Sequence, residues 1–260
     1  AISENGSYIG AAAMVSQSIG DTRVRFYNYS DSTPLWSYDI LSTGGGPSEI
    51  DISSEGKYIV VGAPGNNIYF FNTTFASPKV PMWSYDVGSS IVDLKMSSSG
   101  QYVIVNSELN GIFVFNTTSL TPDIPLWNFP MPNPSYQIDL SLGGDFLVAG
   151  NHTSLWLFNI LSPVPIWNVS MQVTSLAISG DGNFIVAGSY PHNISFFTKE
   201  NNTALWTYDM YDGIDSIKMS NHGETFIVGS QSLYCFYRSV RGTGFLDVDM
   251  LDQIYTEENF

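Results

Sequence analysis

Residues 53–63 read SSEGKYIVVGA, a Ser-x-x-Gly corner followed by an aromatic residue and a β-branched run. Gly56 supplies the left-handed backbone that a tight antiparallel corner needs, and Tyr58–Val61 carry side chains that suit a pleated, half-buried surface. The pattern recurs as SSSGQYVIVNS at 97–107, SLGGDFLVAGN at 141–151, SGDGNFIVAGS at 179–189 and SNHGETFIVGS at 220–230. The opening residues, SENGSYIGAAA at 3–13, are a sixth copy. One hairpin corner written six times marks an internal repeat. Only the copy at 220–230 lacks the aromatic, having Thr225 in its place.

A second marker runs in step. PLWSYD, PMWSYD, PLWNFP, PIWNVS and ALWTYD carry Trp36, Trp83, Trp127, Trp167 and Trp206, spaced by 47, 44, 40 and 39 residues. Each period holds four short strand signals bounded by Gly, Ser, Asn or Pro, for example 48–53, 57–63, 67–72 and 81–86. No stretch of ten or more residues keeps a helical period. The fold expected is therefore all-β: a six-bladed β-propeller of four-stranded antiparallel blades over residues 1–239, with seven blades if the chain is truncated. The tryptophans are expected to wedge between blades, and Trp156, outside the series, to lie in the core. The run Ser-x-x-Gly-x-aromatic, IVVG or IVAG, IYFFN or LWLFN, and LWSYD resembles the WD40/YVTN and quinoprotein-like propeller repeats, in particular those of secreted or cell-surface archaeal proteins. The Gly-His and Trp-Asp dipeptides of typical WD40 blades are absent. So is the Trp-docking run of quinone-dependent dehydrogenases.

The ends break the repeat. The first inner strand is reduced to Ala1–Ser3, and no sixth Leu-Trp follows residue 239. Residues 244–250, GFLDVDM, align with the inner-strand stretch SIVDLKM at 90–96. The tail 240–260 is expected to form a ring-closing or strand-exchanging β-segment. It would serve as the missing inner strand of the first blade or as the outer strand of the sixth, and would protect an open edge in either place.

Charge narrows the partners. Nine Lys and Arg against 24 Asp and Glu leave a net charge of −15, which repels phosphate backbones and anionic membranes. Nucleic-acid binding and membrane insertion are not expected, and no apolar run is long enough to span a bilayer. Ala1 opens no secretory leader. One cysteine, Cys235, excludes an intramolecular disulfide and a cysteine-based zinc site, and its apolar setting predicts a buried, inert thiol. Asn-x-Ser/Thr sequons start at Asn5, Asn28, Asn72, Asn116, Asn151, Asn168, Asn193 and Asn201, which points to an extracellular or cell-surface glycoprotein.

Aligned on the corner serine, the inner strands carry polar residues at two alternating positions. Two residues before it stand Asp51, Lys95, Asp139, Ala177 and Lys218; four before it stand Glu49, Asp93, Gln137, Ser175 and Ser216. Alternation places them on one side of each strand, so Glu49, Asp51, Asp93, Lys95, Gln137, Asp139 and Lys218 are the candidate channel-lining set. His152, His192 and His222 fall in separate turns without metal spacing, and Asp181 lacks the further acids of a calcium loop. No cofactor, metal or catalytic motif is read. The expected function is a non-catalytic module holding a protein or glycan. The alternatives are a subunit of a surface assembly joined through its terminal strands, and a glycan-acting hydrolase or lyase with paired carboxylates at a channel mouth.

Overall fold

The computed structural model describes residues 1–15, 21–41, 46–74, 80–131, 135–240 and 246–254. No helix occurs among them; the strands form six small antiparallel sheets. The chain divides into two compact units, Ala1–Ser135 and Tyr136–Phe260.

The first unit holds three sheets. The first comprises β1 (Tyr8–Met14), β2 (Thr22–Asn28) and β3 (Trp36–Ile40). The second comprises β4 (Ile50–Ile52), β5 (Tyr58–Ala63), β6 (Asn67–Asn72) and β7 (Trp83–Asp86). The third comprises β8 (Ile91–Met96), β9 (Tyr102–Ser107), β10 (Gly111–Asn116) and β11 (Trp127–Phe129). The second unit repeats the plan. Its sheets are β12 (Ser135–Leu140) to β15 (Pro165–Ser170), with β13 (Phe146–Asn151) and β14 (Ser154–Asn159) between them. Next come β16 (Val173–Ile178), β17 (Phe184–Ser189), β18 (Asn193–Thr198) and β19 (Asn201–Asp209). Last are β20 (Ser216–Met219), β21 (Thr225–Gly229), β22 (Leu233–Val240) and β23 (Leu246–Ile254).

The terminal segments are resolved as follows. The first sheet has three strands, and Ala1–Ser3 contributes only the bridge Ile2↔Ile9. Residues 246–254 pair antiparallel with β22, with Phe236 opposite Met250, and form the outer strand of the sixth sheet. Of the two places open to it, the tail takes the second.

The repeated corner explains itself atom by atom. In all six copies the serine Oγ accepts the amide of the residue five positions on, from Tyr8 to Ser3 through to Thr225 to Ser220, at 2.9–3.0 Å. The serine carbonyl accepts the glycine N–H at 2.8–3.0 Å, and the glycine is left-handed, as at Gly100 with φ of 76°. Serine and glycine thus satisfy the corner's own backbone.

The aromatic binds the neighbouring sheet. A Cβ on Gly56 would lie 2.5 Å from the Tyr8 ring, one on Gly182 2.6 Å from Phe146, and one on Gly223 2.7 Å from Phe184. Gly100 faces Tyr58 in the same way. Each ring packs as a latch against the corner glycine of the following sheet, half-buried beside the core of its own. Corner backbones are also tied: Glu4 N–H to Ser54 O, Ser54 N–H to Ser98 O, Leu142 N–H to Gly180 O and Asp181 N–H to Asn221 O, at 2.9–3.1 Å. The tryptophans do wedge. Trp83 is sandwiched between Phe70 of its own sheet at 5.1 Å and Phe115 of the next at 5.3 Å. Trp36 meets Phe71 and Trp167 meets Phe197 likewise. Trp156 is buried.

Candidate functional site

The sequence directs attention to the first strand of each sheet. In the first unit Glu49 precedes β4, Asp51 lies within it, and Asp93 and Lys95 lie on β8, which neighbours β4. Asp51 Oδ1 accepts its neighbour Ile52 N–H at 2.8 Å, and Oδ2 accepts Met96 N–H of the next sheet at 2.7 Å. In the second unit Asp139 Oδ2 accepts Ile178 N–H at 3.0 Å and Gln137 Oε1 accepts Leu176 N–H at 3.1 Å. Both sit on β12 and reach β16. Asp51, Gln137 and Asp139 therefore tie one inner strand to the next. Each gives at least one oxygen to a backbone amide of the next inner strand.

Asp93 and Lys95, two residues apart on one face, pair at 2.8 Å, and Asp93 also accepts Leu94 N–H. Lys218, on β20, is exposed. Glu49 reaches solvent. Partial desolvation raises its carboxyl above the usual range; Asp93 and then Asp51 add to the rise, and Lys95 opposes it. Burial raises Asp51, against the pull of its two backbone hydrogen bonds. Glu49 thus forms a charge-rich cluster with Asp51, Asp93 and Lys95 and presents a solvent-facing carboxylate. Beside it lies a shallow depression of about 110 Å³ lined by Ala12, Pro47, Ser48, Glu49 and Ile50.

No group of three or more metal-ligating side chains occurs among the described residues. His222 Nδ1 lies 3.6 Å from Asp181 Oδ2, and Asp181 holds its own corner by accepting Ser179 Oγ–H and Asn183 N–H. Burial alone would raise the Asp181 carboxyl, but these partners hold it below its usual range. Cys235 is half-buried rather than buried. No helix among the described residues is long and apolar enough to cross a membrane.

The sequons divide by exposure. Their asparagine oxygens cap turns: Asn72, Asn116 and Asn151 each accept the N–H and the hydroxyl of the threonine two residues on. Asn151 is 0% exposed and Asn72 8%, so neither amide is offered to solvent. Asn28, Asn116 and Asn193 are half-exposed; Asn5, Asn168 and Asn201 are exposed.

One feature escaped sequence reasoning. The residue before each recurring tryptophan is exposed: Leu35, Met82, Leu126, Ile166 and Leu205. The Pro-apolar-Trp run carried the signal, but the tryptophan claimed the apolar reading for the core. No family model and no curated protein matches this chain.

Proposed function

We propose that the six sheets are blades of a closed six-bladed propeller similar to the WD40/YVTN and quinoprotein-like repeats. In this reading it acts outside the cell or at its surface as a non-catalytic module that holds a protein or glycan. The observation that carries this is that inner-strand polar groups tie one strand to the next: Asp51, Gln137 and Asp139 each hold a neighbouring backbone amide, and recognition is assigned to loops and edges. Repetition of one junction by latch, corner bond and wedge supports a ring, since each sheet buries its faces only against neighbours. The exposed sequons at Asn168 and Asn201 and the net charge of −15 suit an extracellular surface free of nucleic acid.

Solution scattering tests the architecture: a closed ring gives a compact disc, and an elongated particle would refute it. Glycan-array and cross-linking capture from the native cell surface test the role. Polysaccharide cleavage by the purified protein, lost in Glu49→Gln, would instead establish the hydrolase.

A further inference from the structure

We infer that one loop end of the fifth sheet is a platform for an uncharged oligosaccharide, with Tyr190 and Tyr211 as its two stacking rings. Tyr211 stands five residues after Trp206, as Gly88 stands five residues after Trp83. In both places the amide is held by the aspartate two residues before: Gly88 N–H by Asp86 Oδ1 at 2.8 Å, and Tyr211 N–H by Asp209 Oδ1 at 3.0 Å. Both backbones are left-handed, with φ of 78° at Gly88 and 62° at Tyr211. Glycine adopts that conformation freely, and a tyrosine adopts it against its own Cβ. Packing does not offset the strain, because Tyr211 is 82% exposed. A large ring kept in a glycine position and turned to solvent serves neither the turn nor the core, which leaves recognition as its use.

A second ring shares this end. The turn at 189–193 joins β17 to β18; its His192 O accepts Met210 N–H at 3.0 Å, and its Tyr190 N–H donates to Gln172 O at 2.9 Å. Tyr190 is 69% exposed. It continues β17, and Tyr211 lies just past β19, so two strand spacings put their backbones roughly 10 Å apart. Two successive sugars of one chain can each meet a ring.

The groups around the rings select the ligand. Asp209 and Asp215 are exposed, and Asp212 is half-buried with Oδ2 3.5 Å from Tyr234 Oη. Carboxylates accept sugar hydroxyls in charge-assisted hydrogen bonds and repel acidic sugars. The Lys or Arg nearest along the chain is Lys218, one cation against three aspartates, and the neighbouring turns add only His152 and His192. An uncharged sugar therefore fits better than a uronate. A protein partner needs a broader apolar centre. Besides the tyrosines, the exposed apolar side chains described at this end are Pro191 and Leu233. The inference deepens the binding-module reading and rests on it. A glycan that binds while both rings stay silent removes this site and leaves that reading standing; polysaccharide cleavage removes that reading and leaves the ring titration to be judged alone.

The test is an NMR titration of the full chain, followed on the ring resonances of Tyr190 and Tyr211. Cellotriose, mannotriose and triacetylchitotriose are the neutral probes, trigalacturonic acid the acidic one and trilysine the peptide control. A neutral probe should shift both rings at millimolar concentration, and the acid and the peptide should shift neither. Tyr211→Gly should weaken the sugar about tenfold, the loss of one stacked ring. It should do so without lowering the melting temperature, because glycine suits the left-handed backbone. Tyr190→Ala should weaken the sugar to a similar degree. Silence of both rings toward every neutral probe, an equal response to the acid or to trilysine, or full sugar binding by Tyr211→Gly would overturn the inference.

Discussion

Asp51 carries two backbone amides on one half-buried carboxylate. Asp51→Ala should strand both and cost about 1–3 kcal/mol for each amide left unsatisfied, read by urea unfolding. The pH dependence has a definite sign. Burial raises the native carboxyl above its ordinary 3.8, so its favourable contribution is complete only below that value and is lost as pH climbs through the native value. The stability of Asp51→Asn relative to wild type should therefore improve as pH rises above the ordinary carboxylate value and through the raised native one. A second residue stands out against its repeat. Asn106 is 0% exposed and neither side-chain polar atom has a partner among the described residues, whereas Ala12, Gly62, Gly150, Gly188 and Gly229 occupy the same place in the other copies of the repeat. Asn106→Ala removes a buried unsatisfied amide and should stabilise the fold by about 1 kcal/mol. Glycoproteomics of protein from the native host should find glycan on Asn168 or Asn201 and none on Asn151, which is sealed within the sheet.

Between sheets the stabilising device is the ring laid over a left-handed glycine, and it can be measured by difference. Gly100→Ala should cost about 1–2 kcal/mol for the backbone conformation, and more because its methyl would drive into Tyr58. Gly6 has the same conformation, but nothing lies within 4 Å of its Cβ position, so Gly6→Ala should cost the backbone share alone. Equal losses in thermal unfolding would show that the ring contributes nothing. Trp83→Ala opens a hole between Phe70 and Phe115 and should cost about 3–5 kcal/mol. The corner serines, the left-handed glycines and the wedging tryptophans were legible because each acts at a fixed offset within one period. The target of Tyr58 was not, because its glycine lies 42 residues on and no local pattern names it. The backbone amides that Asp51, Gln137 and Asp139 accept were not legible, because those amides lie on the next inner strand, about 40 residues on. A polar side chain that caps a distant amide and one that awaits a ligand look alike in sequence.

At the scale of the whole chain, the tail is the clearest lever. β23 gives β22 its outer partner over Leu246–Ile254, so deleting residues 246–260 should expose an edge strand and lower the melting temperature of the second unit's sheets. Calorimetry of the deletion would detect it, and an unchanged melt would show that the pairing carries no stability. The first unit should keep its transition, because its three sheets are joined by their own latches and wedges. The latch also bears on how such a chain can grow. Each period encodes both an aromatic that projects forward and a glycine that receives from behind, so a duplicated stretch of about 40 residues arrives already matched to the copies on either side. Gene duplication can then change the number of sheets without inventing a new contact. Thr225 and Gly6 depart from that grammar: one has no ring to project, and the other has none within 4 Å among the described residues.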